Sequence, residues 1–132
     1  MSIISSTVKS GASAMTPTGG NDISFSLTGL SVSNGINVAV AADTDFRTRR
    51  NASFKSRVPT VANGIYSKGK NEVVFVQPLI LASGLVVFNT MRLGLEVHPE
   101  LPAASAKDLR MVGAQLLTAS SFEDYWTTGA LA

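Results

Sequence analysis

Apolar and polar residues alternate with a period of two over the first three-quarters of the chain, then shift to a helical period. Asp22-Ile23-Ser24-Phe25-Ser26-Leu27-Thr28 sets apolar residues against hydroxyl or acidic ones, the pattern of a half-buried strand. Asn34-Gly35 follows, suited to the two positive-φ positions of a type I′ hairpin turn, and Ile36-Asn37-Val38-Ala39-Val40 alternates again beyond it. Further strands are expected near Ser53–Val61 and over Asn71–Gln77. The connection between them carries a second Asn-Gly pair, Asn63-Gly64, and a turn signal at Lys68-Gly69. A last strand spans Leu85 to Val97, with Val87, Met91, Leu93, Leu95 and Val97 on one face. Ile3–Lys9 is a further candidate strand, ahead of a loop-like Gly/Ala/Ser/Thr/Pro stretch over residues 10–20. No helical pattern separates the strands, so an antiparallel meander is expected.

The pattern changes at Pro99-Glu100-Leu101-Pro102. From Ala103 to Thr118 one stripe holds Ala106, Leu109, Val112, Gly113, Leu116 and Leu117, with Lys107, Asp108, Arg110 and Gln115 off it. Ser120-Ser121-Phe122-Glu123 has the spacing of a capping box, predicting a short second helix through Tyr125, Trp126 and Thr127 that stops at Gly129. In that helix Phe122 and Trp126, four apart, read as packing residues. The expected architecture is α+β: strands over about 1–98 and two helices over about 103–128, in one domain spanning 1–132, with the helices on one face of the sheet.

Composition adds one strong constraint. Only 15% of the 132 residues are charged, while 45% are hydrophobic and mean hydropathy is +0.22. Ordinary soluble domains carry about 25% charged residues. Few charges must therefore cover much surface, and permanent self-association is expected. The absence of cysteine excludes disulfides, thiolate metal sites and thiol nucleophiles, and the one histidine, His98, excludes a His-rich metal site. The most apolar window, Val73 to Phe88, is interrupted by Gln77, Pro78 and Gly84 and reads as two strands and a turn rather than a membrane span. The first nine residues lack the basic start and apolar core of a signal peptide, so synthesis in the cytosol, with no membrane partner, is expected.

The charges are unevenly placed. Between Phe46 and Asn71 lie seven basic residues (Arg47, Arg49, Arg50, Lys55, Arg57, Lys68 and Lys70) and no acidic one. Such a concentration on a sheet is the electrostatic footprint of a phosphate backbone. An anionic membrane surface fits less well, because it is usually met by an amphipathic helix. Enzyme motifs are missing: no GxSxG or SxxK accompanies the many hydroxyls, and Asp43 with Asp45 lacks the rest of a calcium loop. Neither a metal nor a cofactor is expected.

Three stretches resemble the coat proteins of the single-stranded RNA bacteriophages of levivirus type. Lys70-Asn71-Glu72-Val73-Val74-Phe75-Val76-Gln77-Pro78 is similar to that family's strand with a basic start and a proline end. Phe88-Asn89-Thr90-Met91-Arg92-Leu93-Gly94-Leu95 is similar to its strand of an aromatic, an amide, a methionine and alternating leucines. Ala106 to Tyr125 resembles its two-helix ending, and the likeness in layout covers the whole chain.

The resemblance implies an N-terminal hairpin, a five-stranded antiparallel sheet and two C-terminal helices that pack across a dimer partner. The homodimer would join two sheets edge to edge, with Leu109, Val112, Leu116, Leu117, Phe122 and Trp126 in its interface. Dimers would close into an icosahedral shell around genomic single-stranded RNA, a virion component assembled in the host bacterial cytoplasm. The inward sheet face would also bind an RNA hairpin, repressing translation and nucleating packaging. Matched residue by residue, Lys55 and Arg57 fall on phosphate-binding positions, Phe88 on a base-stacking one, and Thr90 where an amide is usual. Arg92 and the basic residues from Arg47 to Lys70 complete the expected RNA contacts. Glu72 and Val74 stand where the family carries a hydroxyl and a lysine, and the Pro78–Met91 stretch is shorter than in its best-known members. The alternative is a small β-rich nucleic-acid-binding module of OB type without a shell, for which Phe46 and Phe54 would supply interleaved aromatics.

Overall fold

The computed structural model of the chain describes residues 6–131. Two compact units form: one spans Asn21–Pro99, and the other combines the stretch up to Gly20 with the stretch from Glu100 onward.

The first unit is an antiparallel sheet of β1 (Phe25–Val32), β2 (Gly35–Val40), β3 (Asn51–Arg57), β6 (Gly69–Ile80) and β7 (Val86–Val97), in that spatial order. A separate small hairpin, β4 (Val61–Ala62) with β5 (Ile65–Tyr66), projects from the connection between β3 and β6. This open meander is the five-stranded layout expected of a coat protein, not the closed barrel of an OB module. The hairpin that opens it, β1–β2, is part of the sheet itself. Its irregular register between Leu27 and Ser31 contains Gly29 at φ 78°, a conformation that glycine adopts without strain.

The two Asn-Gly pairs behave differently. At Asn63-Gly64 both residues have positive φ, 53° and 75°, and join β4 to β5 as a type I′ turn requires. At Asn34-Gly35 the turn falls one residue earlier, on Ser33-Asn34, and only Asn34 has positive φ, 59°. Gly35 is already in β2, pairing with Val32 and Lys55. Its role is close approach: a Cβ there would run into the Phe54 carbonyl oxygen.

The proline in β6 is tolerated because the ladder with β3 ends at Asn51–Val76, short of Pro78, so no β3 partner needs the N–H it lacks. After Ile80 a loop closed by the Leu81 N–H to Leu85 carbonyl bond (2.8 Å) returns the chain into β7, with Gly84 at φ 88°.

In the second unit α1 runs Ala103–Thr118, behind Pro102 at its N-cap. The expected capping box does not form: Ser120–Phe122 is a 3₁₀ turn, and neither serine caps a helix with its side chain. Glu123 instead opens α2 (Glu123–Thr128), where it and Asp124 face the positive end of the helix dipole. Gly129 ends α2 at φ 75°, its N–H bonding the Tyr125 carbonyl at 2.9 Å.

The expected N-terminal strand is corrected as well. Ile3–Ser5 lie outside the described residues, and Ser6–Lys9 join no sheet. The amide of Gln115, buried on α1, takes both backbone groups of Lys9: Oε1 accepts from its N–H at 2.7 Å, and Nε2 donates to its carbonyl at 2.8 Å. Two turns back, Asp108 accepts from the Gly11 N–H at 2.6 Å and the Ser10 hydroxyl at 2.9 Å. These polar positions beside the apolar stripe of α1 thus anchor the N-terminal segment as a strap.

Among the described residues, the buried apolar side chains are those of Val38, Ala39, Val40, Ala52, Pro78 and Phe122. Leu27, Ile36, Leu79, Met91 and Leu93 in the sheet stay at least 43% exposed, as do Leu109 and Trp126 outside it. Leu116 is 42% exposed.

Replacing Gly35 by alanine is expected to destabilise the sheet by about 1–3 kcal/mol, since β2 or β3 must shift to admit the methyl group. Gly94→Ala, whose Cβ meets open space, should change stability by well under about 1 kcal/mol. Urea unfolding of the two variants at one protein concentration tests the contrast.

Candidate nucleic-acid interface

Side chains alternate across a strand, so cross-strand register sorts residues into faces. Asn51, Ser53, Lys55 and Arg57 of β3 stand opposite Val76, Val74, Glu72 and Lys70 of β6. These in turn oppose Thr90, Arg92, Gly94 and Glu96 of β7, while Pro78 opposes Phe88. On the other side, Asn37 of β2 pairs with Ser53. One face therefore carries Asn37, Asn51, Ser53, Lys55, Arg57, Lys70, Glu72, Phe88, Thr90, Arg92 and Glu96, with Val74, Val76 and Pro78 among them. The opposite face carries Phe25, Leu27, Val38, Val40, Phe54, Val73, Phe75, Met91, Leu93 and Leu95.

The expected contact residues divide accordingly. Lys55, Arg57, Lys70, Phe88, Thr90 and Arg92 share the polar face, and Phe88 is 69% exposed. Arg47, Arg49 and Arg50 lie in the loop between β2 and β3, and Lys68 lies just ahead of β6. Period two from Lys55 also yields the neutral residues Ser53 and Asn51, which a search for charge alone passes over. Two residues along a strand span about 6.8 Å and neighbouring strands lie about 4.8 Å apart. Lys55 and Arg57 thus present cations at roughly one nucleotide's spacing. Phe88 and Arg92, four residues apart, sit about 13 Å from each other along β7.

Ion pairing thins the basic cluster. Arg50 grips Asp43 through Nε (2.8 Å), Nη2 (3.1 Å) and its backbone N–H (3.0 Å). These bonds hold the Asp43 carboxyl down at about 2 and raise the Arg50 guanidinium. Arg47 donates its backbone N–H to Asp45 at 2.9 Å and its guanidinium at 3.3 Å, lowering that carboxyl too. Asp43 and Asp45 lie just outside the segment that reads as purely basic, which is why a count along the chain misses the neutralisation. Arg49 lies 5.1 Å from the centre of the Phe46 ring, a cation–π contact at the tip of the same loop. On the polar face Lys70 pairs with Glu72 (3.4 Å) and Glu96 (3.8 Å). Among the described residues, Lys55, Arg57 and Arg92 have no acidic partner. No group of three or more His, Asp or Glu that could hold a metal ion occurs among them either.

An open five-stranded sheet with cations and an exposed aromatic on one face and apolar residues on the other, followed along the chain by two helices, defines an α+β protein with an open surface. Solved structures agree. The chain is 63% identical to the protein of the virus-like particle of bacteriophage GQ-907, matching 99% of its own length and 100% of that chain with a TM-score of 0.95. The virus-like particle of bacteriophage AVE019 (13% identity, 87% and 92% covered, TM-score 0.69) shares the fold. So does that of Beihai levi-like virus 21 (12%, 87% and 91%, TM-score 0.63). No family model and no curated sequence matches the chain. The chain belongs to the coat proteins of the single-stranded RNA bacteriophages, the levivirus type.

The Asp43–Arg50 pair has a defined pH signature. A carboxyl whose pKa is depressed on folding contributes stability that is complete above its ordinary value, near 4, and is lost as pH falls through the folded value. The stability advantage of the unaltered chain over Asp43→Asn should therefore be constant above about pH 5 and shrink between about pH 4 and 2. Thermal melts of both proteins across that range check it.

Proposed function

We propose that this coat protein forms homodimers that assemble into an icosahedral shell around single-stranded RNA, with the polar sheet face turned inward. The observation that carries this reading is the register that gathers Lys55, Arg57, Thr90, Arg92 and Phe88 on one face while the other is apolar and largely uncovered. Lys and Arg suit phosphates, and an exposed phenyl ring suits an unstacked base. The particle formed by the similar phage protein supports self-assembly.

β7 supports the mode of dimerisation. It is an edge strand of 12 residues, and its outer row of N–H and C=O groups is a template for a second copy of itself. Leu109, Val112, Leu116, Leu117 and Trp126 would then cover the partner's apolar sheet face. Phe122 is only 8% exposed in a single copy and contributes from within. Hairpin binding would let the same dimer repress translation and begin packaging, and assembly would take place in the bacterial cytoplasm.

Expression of the chain alone, followed by nuclease treatment, size-exclusion chromatography and electron microscopy, tests the reading. Megadalton particles that absorb at 260 nm are expected, and monomers free of RNA would overturn it. Leu116→Asp should block dimerisation, because it strands an unpaired carboxylate in an apolar contact at a cost of several kcal/mol. Light scattering of that variant reads the result. Among RNA contacts, Arg57→Ala should weaken all RNAs alike and lower the salt slope by about one phosphate. Phe88→Ala should weaken a preferred hairpin more than bulk RNA with the slope nearly unchanged. Filter binding of dimers at several salt concentrations separates the two roles.

A further inference from the structure

The polar face is not uniformly basic. Lys70 on β6 has Glu96 directly opposite on β7 and Glu72 two residues along its own strand, on the same face. Its ammonium is 3.4 Å from Glu72 Oε2 and 3.8 Å from Glu96 Oε1. Two carboxylates share one cation, so the triad keeps a formal charge of −1. It sits between Lys55 and Arg57 on β3 and Arg92 on β7. Glu72 lies between Lys55 and Gly94 in the cross-strand row, and Gly94 offers no side chain to shield it. A phosphate backbone crossing the sheet from Lys55 to Arg92, roughly 12 Å over two strand spacings and a two-residue offset, passes between Glu72 and Val74 and so beside a carboxylate.

We propose that Glu72 and Glu96 limit the affinity of this face for RNA, holding Lys70 in a protein ion pair and repelling phosphates from the strip between the two cationic patches. This rests on the reading of the face as RNA-binding. It assigns the two glutamates a determining role and removes Lys70 from the phosphate contacts of the unaltered protein. Like charges placed where a partner's charges must pass weaken binding and redirect its path. A shell that must later release its genome is served by a face that binds many RNA segments, each weakly.

The test is filter binding of dimers to an unrelated single-stranded RNA across 50–200 mM salt. Glu72→Gln removes a negative charge with little change of shape and leaves Lys70 less engaged. Affinity should rise severalfold at 50 mM salt, with a slope steeper by about 0.7, so that the gain shrinks about 2.6-fold by 200 mM. Lys70→Ala alone should leave the slope nearly unchanged and lower affinity, since both carboxylates lose their counter-charge, whereas Lys70→Ala added to Glu72→Gln should cancel the added slope. Glu96→Gln, which removes the longer contact, should give a smaller gain in the same direction.

A slope that falls by about 0.7 in Lys70→Ala alone would overturn the proposal, since Lys70 would then already hold a phosphate. So would unchanged binding in Glu72→Gln while Arg57→Ala still weakens it. If unaltered dimers bind RNA with no salt dependence, and Arg57→Ala matters no more than Glu72→Gln, the RNA-facing reading itself fails and the limit on affinity falls with it.

Discussion

The register between β6 and β7 is the constraint on which the rest of the sheet depends. The two 12-residue strands pair without a bulge from Gly69–Val97 to Ile80–Val86, and the face on which each β7 residue lies follows from that alignment. A slip by one residue would turn Phe88, Thr90 and Arg92 over to the apolar side and bring Met91 and Leu93 to the polar one. The apolar face constrains the register, because a slip by an odd number of residues would turn Val73 and Phe75 away from Met91, Leu93 and Leu95. The side chains of the polar face are thus positioned by the hydrophobic residues of the opposite one.

That face comes at the expense of independence. Exposed leucines and phenylalanines on a sheet this size form an apolar surface larger than an ordinary monomer leaves open, and few charges are present to offset it. The strap over α1 fits the same economy. Gln115 and Asp108 anchor the N-terminal segment through polar bonds beside the apolar stripe, so Leu109 and Leu116 stay available. Asp108 is held in its ionised form by the Gly11 N–H and the Ser10 hydroxyl, which makes the anchorage least secure in acid.

Strand order, the helix boundaries at Ala103 and Thr118, and the common face of Lys55 and Arg57 were legible in the sequence, because periodicity reports directly on burial. The errors share a physical origin: each came from a local motif read without the contacts that folding adds to it. Asn34-Gly35 has the composition of a type I′ turn, yet Gly35 is claimed by the close passage of the Phe54 carbonyl, which no local window contains. Ser120 and Glu123 have capping-box spacing, but a 3₁₀ turn that buries Phe122 takes its place. Lys9 ends a plausible strand, and its backbone is bonded by a glutamine 106 residues away. Arg47 and Arg50 look like free cations until the loop folds back and brings Asp45 and Asp43 to them.

The fate of the basic residues separates two uses of charge. In the β2–β3 loop, arginine–aspartate pairs made with backbone as well as side-chain donors fix a conformation, and their charges are consumed in doing so. On the sheet the backbone is already fixed by its ladders, so Lys55, Arg57 and Arg92 need no partner and stay available to an anion. Lys70 is the exception, on the sheet yet paired, and it is paired with residues whose positions the same ladder dictates. No loop needs fixing there and no helix end needs capping. What the triad changes is the field above the sheet, which is why its role is to be sought in what the face binds rather than in how the chain folds.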